Sequence, residues 1–190
     1  MLAAAAREFA TAGWSGTTLA SVALRAGVSP KTVEALFGTK AALLAAVVDY
    51  TIRGDAGKKP MPQRQAIADM EAAPDAVTML SLHAAHLRRV NGRSAAIAAA
   101  VEHAAHADPA VARLWRQMNN NRSYAVTWAC AVLLSKPGRR PSLTEVDARP
   151  AFWVAIDWGT YRTLTRYGGL SPRRFEQWLL DFYERQFLER

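Results

Sequence analysis

The sequence predicts an all-α fold, a small three-helix domain followed by a larger helical one, and three observations carry that expectation. Extended runs of alternating Val, Ile and Thr, which would form strands, do not occur. Glycine, proline and an Asn-Gly pair punctuate the chain at helix-length intervals. Apolar residues recur every three or four positions, most clearly at Phe175, Trp178, Leu179, Phe182, Tyr183 and Phe187. At 190 residues, 51% hydrophobic and 21% charged, the chain can bury a sizeable core.

The first helix shows an amphipathic face at Leu2, Ala6, Phe9 and Ala10 and closes at Gly13 and Gly16. It starts in mid-helix, without a capping residue, which predicts that the natural chain begins further upstream. A second helix opens on Thr18 as N-cap and turns Leu19, Val22 and Ala23 inward. Ala26-Gly27-Val28 then makes a turn: alanine permits close approach, glycine takes positive φ, and valine plugs the core. Ser29 caps a third helix with Pro30 at its first position and Val33, Leu36 and Phe37 among its inward residues. Thr39 caps a fourth.

Two short helices joined by a glycine turn form a helix-turn-helix, whose second helix offers its N-terminal residues to the DNA major groove. Ser29, Lys31 and Thr32 then face outward toward phosphates and base edges, and Lys40 reaches a phosphate. With Thr17, Thr18, Pro30 and Glu34 they complete the candidate DNA-binding set.

The segment running from Ala6-Arg-Glu-Phe-Ala through Gly13, Thr17-Thr18, Ala26-Gly27-Val28-Ser29 and Phe37-Gly-Thr-Lys40-Ala-Ala-Leu43-Leu44 resembles the DNA-binding domain of TetR-family transcriptional regulators. That resemblance covers about the first 50 residues and divides the chain into a DNA-binding domain, 1–48, and an effector and dimerisation domain, 49–190. It implies a homodimer, two recognition helices on a palindromic double-stranded operator, and a C-terminal ligand domain that ends DNA binding when occupied. Two departures stand out. Glu34 occupies a position where such proteins usually carry tyrosine, and Leu36 one that is often polar. A glutamate there repels phosphate but can accept a hydrogen bond from cytosine N4.

Beyond the first domain, Gly54, Gly57, Pro60 and Pro62 read as a linker, Asn91-Gly92 as a turn or kink, and Asp108-Pro109 as a helix start. From Phe152 to Tyr167 the pattern predicts one helix apolar on nearly every side, and Ser171-Pro172 opens the last helix. These two helices are the expected dimer surface, through Phe152, Ile156, Phe175, Trp178, Leu179 and Phe182. The effector pocket is expected among Leu82, His86, Trp115, Met118, Asn119, Tyr124, Trp128, Trp153, Asp157 and Trp158, a set that suits a bulky, largely apolar or aromatic ligand. His83-Ala-Ala-His86 and His103-Ala-Ala-His106 offer an alternative, a metal-responsive regulator. The pairs lie ~30 Å apart on a continuous helix, so they meet only if the chain folds back at Asn91-Gly92. No metal site or cofactor is otherwise called for.

Other function classes find little support. A single cysteine, Cys130, rules out an internal disulfide framework and a CxxC redox site, and the cytosol is the expected compartment. Its apolar neighbours raise a thiol's pKa, which argues against a nucleophile, and no nucleophile elbow or phosphate-cradling glycine loop occurs. The chain is therefore not expected to be an enzyme. The uncharged stretch Ser123–Ser135 is far shorter than the roughly 20 apolar residues a bilayer requires, so no membrane partner is expected. Net charge is +8, yet Arg7, Arg25, Lys31, Lys40 and Arg53 against Glu8, Glu34 and Asp49 leave residues 1–54 at only +2. The helix-turn-helix reading thus rests on the motif and not on a basic composition.

Overall fold

A computed structural model describes residues 1–57 and 59–189. Among the described residues ten α-helices follow one another: α1 (Leu2–Gly16), α2 (Leu19–Ala26), α3 (Pro30–Phe37), α4 (Lys40–Arg53), α5 (Gln65–Glu71), α6 (Ala76–Ala105), α7 (Pro109–Leu134), α8 (Glu145–Ile156), α9 (Trp158–Arg162) and α10 (Pro172–Phe187). The described residues contain no β-strand. The chain forms two compact units, Met1–Gly57 with Arg93–Asn119, and the described residues of Lys58–Gly92 with Asn120–Arg190.

In the first unit, local chemistry sets nearly every boundary. Gly13 (φ 67°, ψ −169°) breaks α1 in its last turn. Thr18 and Ser21 form a reciprocal capping box at the start of α2, and Gly27 ends it in the left-handed conformation, φ 67°. Ser29 Oγ accepts the Thr32 amide, with Pro30 at the first position of α3. Thr39 accepts from Ala42 to open α4, and Gly54 closes it. The core comprises Phe9, Val22, Ala23, Val33, Leu43, Leu44 and Val47, all nearly or wholly buried.

Two inward assignments need correction. The buried face of α1 is Ala4, Ala5, Glu8 and Phe9, while Ala10 is exposed and Leu2 and Ala6 are only half-buried. Glu8 can take an inward position because Arg25 of α2 pairs with it at 2.5 Å. On α3, Val33 and the half-buried Phe37, four residues apart, take the inward stripe, leaving Leu36 62% exposed.

The second unit is built around an aromatic core. On α10, capped by Ser171 and opened by Pro172, the residues Phe175, Leu179, Tyr183 and Phe187 are buried. Phe152 of α8 meets Phe187 at 4.9 Å between ring centres and His83 of α6 at 5.3 Å, edge-on. His83 Nδ1 and the Tyr183 hydroxyl are hydrogen-bonded at 2.7 Å.

Here the sequence expectations required larger corrections. The helix foreseen from Phe152 to Tyr167 is broken at Asp157, whose extended backbone (φ −73°, ψ 127°) ends α8. Its carboxylate accepts the Thr160 amide at 2.6 Å and so starts α9, which runs on into a π-helical turn, Thr163–Tyr167. Nor is this stretch buried all round: Val154 is 44% and Tyr167 73% exposed. Asn91 and Gly92 make no turn, because α6 continues through both. Asn91 is buried, and a Cβ at position 92 would stand 3.3 Å from the Tyr161 hydroxyl, so the glycine serves close packing.

Candidate DNA-binding surface and effector site

The helix-turn-helix presents the N-terminus of α3 to solvent. Ser29, Pro30, Lys31, Thr32 and Glu34 are all exposed. Ser29 Oγ lies 2.8 Å from Thr32 Oγ1 as well as accepting the Thr32 amide at 3.1 Å, which holds both hydroxyls in one place at the tip of the helix. Thr18 is exposed too, with its hydroxyl engaged in the α2 cap. These groups can meet phosphates or base edges without unfolding anything.

Two predicted contacts stand elsewhere. Thr17 is fully buried and its hydroxyl donates to the Gly13 carbonyl at 2.7 Å, bracing the kink at the end of α1. Lys40 donates through Nζ to the Trp14 carbonyl at 2.9 Å, with the ammonium 4.1 Å from the Trp14 ring centre. Both residues hold α1 in position beside the helix-turn-helix.

Three further charged groups brace the same unit, and sequence reasoning missed them. The hydrogen bond from Arg25, seconded by Ser21, holds the Glu8 carboxyl below its usual pKa. Arg93 on α6 donates to the Thr51 and Ile52 carbonyls at the end of α4, each at 3.0 Å.

The expected effector residues divide between the two units. Trp115, Met118 and Asn119 belong to the first unit, where the Asn119 amide donates to the Trp115 carbonyl. In the second unit Tyr124 is 76% exposed, Leu82 and His86 are half-buried, and Trp128 donates its indole N–H to Glu71 at 2.9 Å. Trp153, Asp157 and Trp158 do come together, around a residue that was not foreseen. Arg122 of α7 lies with its guanidinium carbon 5.0 Å from each of the two ring centres and donates to Asp157 at 2.9 Å. Asp157 is 35 residues away, beyond any helical spacing that could have signalled the pair.

The histidine pairs do not converge. Without a turn at Asn91-Gly92 the fold-back they require is missing, and His83 is spent on Tyr183. Burial drives the His83 pKa down to about 3, with the nearby His86 adding to the effect. Among the described residues no group of three or more His, Cys, Asp or Glu is placed to hold a metal. Cys130 is fully buried, and that burial raises its thiol pKa.

Of the six residues expected at a dimer surface, Phe152, Phe175 and Leu179 turn out to fill the chain's own core. Ile156, Trp178 and Phe182 are partly exposed, and the last two stack with rings 5.6 Å apart and nearly parallel. Among the described residues no single helix is long and apolar enough to cross a membrane.

A capped two-turn helix set after a left-handed glycine, on a three-helix support, defines a helix-turn-helix DNA-binding domain. Residues 1–47 match the family model described as bacterial regulatory proteins, tetR family. The whole chain has the fold of TetR-type transcriptional regulators. It is similar to a TetR-family transcriptional regulator from Rhodococcus sp. (18% identity, TM-score 0.68), covering 97% of this chain and 95% of that one. A transcriptional regulator from Saccharomonospora viridis, solved in complex with choline, is similar at 17% identity over 100% and 96% of the two chains, TM-score 0.71. A TetR transcription regulator from Haloarcula marismortui matches at 16% identity over 98% and 95%, TM-score 0.66. No curated protein sequence matches the chain.

Proposed function

We propose that the protein is a one-component, ligand-responsive repressor that binds a palindromic operator as a homodimer in the cytoplasm. Residues 1–48 read DNA and residues 49–190 bind the effector and the second subunit. The observation that carries this reading is the α3 N-terminus, where Ser29, Lys31 and Thr32 are exposed and fixed by the cap. Two such helices, one per subunit, engage half-sites ~34 Å apart. Effector contacts in the second domain favour a dimer geometry that no longer matches that spacing. The partly exposed Trp178–Phe182 stack on α10 supports a subunit contact there. The choline held by the Saccharomonospora regulator supports a small-molecule site in a domain of this fold.

An operator selected from random double-stranded DNA tests the reading. Replacing Lys31 and Thr32 together with alanine is expected to abolish binding to it while leaving the dimer intact. Unchanged operator affinity in that variant would remove α3 as the recognition helix.

A further inference from the structure

Trp153, Asp157 and Trp158 already surround a cation, and it belongs to the protein. The Arg122 guanidinium lies 5.0 Å from each indole centre and is ion-paired to Asp157, with its side chain only 12% exposed. Two ring faces and a carboxylate are the elements that recognise a desolvated cation: the rings present negative quadrupole faces and the carboxylate supplies net charge.

The cage is held from behind. One carboxylate oxygen of Asp157 faces Arg122, while the other accepts the Thr160 amide at 2.6 Å and the Thr160 hydroxyl at 3.2 Å. A Cβ at Gly159 would stand 2.7 Å from that second oxygen, so glycine keeps the approach open. Trp158 is the first residue of α9, directly after this cap. The walls are thus set by the α8–α9 break, whereas the occupant reaches in from α7. Ring quadrupoles respond to charge and fit and do not require a guanidinium.

We infer that this cage receives the headgroup of the effector, a small quaternary ammonium cation, and that Arg122 is a tethered occupant which the ligand displaces. A methylated ammonium fits the site because it carries charge without N–H groups that would need further acceptors. The inference rests on the reading of residues 49–190 as an effector domain.

Calorimetric titration of the full chain with choline chloride tests it, with 3,3-dimethylbutan-1-ol as the uncharged isostere. Choline is expected to bind and the alcohol not. Arg122→Ala, which empties the cage, is expected to bind choline about tenfold more tightly than the unchanged chain. Adding Trp153→Leu to that variant is expected to cancel the gain. If Arg122 were only a brace, its replacement would lower the melting temperature without raising choline affinity, and that result overturns the inference. So does equal binding of choline and the alcohol, or binding of phosphatidylcholine vesicles in place of free choline. Should Arg122→Ala fail to fold, Arg122→Gln keeps the bulk, removes the charge and must show the same gain. Operator binding, measured on the same preparations, keeps the two readings apart. Absent choline binding with intact operator binding refutes the cage alone, whereas choline binding without any operator binding refutes the regulator.

Discussion

The Arg93 guanidinium occupies the space beside Gly54 that any other residue would need for its side chain. A Cβ at position 54 would stand 2.7 Å from Arg93 Cζ, and Gly54 also has φ 83°. Arg93 uses that space to donate to the carbonyls of Thr51 and Ile52, which the end of α4 would otherwise leave open. Gly54→Ala is therefore expected to destabilise the protein by about 1–3 kcal/mol, combining left-handed strain with displacement of the arginine. Arg93→Ala should cost less, about 1 kcal/mol, because the site is partly open to water. Thermal melts of the two variants check the order.

Lys40 separates a bracing role from a DNA contact. Bonded to the Trp14 carbonyl and lying over its ring, it holds α1 against the start of α4. Lys40→Met is expected to lower stability by about 1–2 kcal/mol and to leave the salt dependence of operator binding unchanged. A lysine that neutralised a phosphate would instead reduce the slope of log affinity against log salt by about one unit when removed.

Glu34 stands exposed on the recognition helix, within a domain whose net charge is only +2 over residues 1–54. A carboxylate at this position repels any phosphate brought close to it. Glu34→Gln is expected to strengthen binding to non-operator DNA several-fold at low salt, and to relax any preference for cytosine opposite this position. Fluorescence anisotropy with operator and scrambled duplexes measures both effects.

His83 makes stability depend on pH in a defined window. Its folded pKa, about 3, lies below the ordinary 6.5 because burial excludes the charged form. Between those values the unfolded chain binds a proton that the folded chain refuses. Stability from this residue is complete above pH 6.5 and falls as pH drops toward 3, by up to ~1.4 kcal/mol per pH unit. His83→Gln, which keeps a polar partner for Tyr183, should flatten the melting temperature over that window. An unchanged profile would mean that other groups dominate acid unfolding.

On α10, Trp178 and Phe182 stack on one another at its partly exposed edge. Phe182→Glu places a charge there and leaves Phe175, Leu179, Tyr183 and Phe187, which fill the core, in place, giving up only the Phe182 ring's 6.1 Å contact with Tyr183 and its stack on Trp178. The expected product is a folded monomer with sharply reduced operator affinity, visible as a later elution volume in size-exclusion chromatography.

The helix-turn-helix was legible because its determinants are local. Thr18, Ser29 and Thr39 each cap an amide three residues along the chain, and Gly27 sets its turn alone. What escaped the sequence was joined over long separations. Arg122 meets Asp157 35 residues away, Arg93 meets Thr51 42 away, and Arg25 meets Glu8 17 away, with no periodicity to connect any of them. Asn91-Gly92 shows the opposite failure, a strong local turn signal overruled by packing against Tyr161. Leu36 was misplaced because two turns of helix provide a narrow inward stripe, which Val33 and Phe37 already fill.

Cys130 is the chain's single thiol, and it is sealed inside the fold with its reactivity suppressed. Alkylating reagents therefore pass over the native protein. A Thr32→Cys substitution would supply one addressable sulfur per subunit at the tip of the recognition helix, ready for a spin label or fluorophore. The separation of the two reading heads then becomes a distance measurable in solution, with and without effector, on an otherwise silent background.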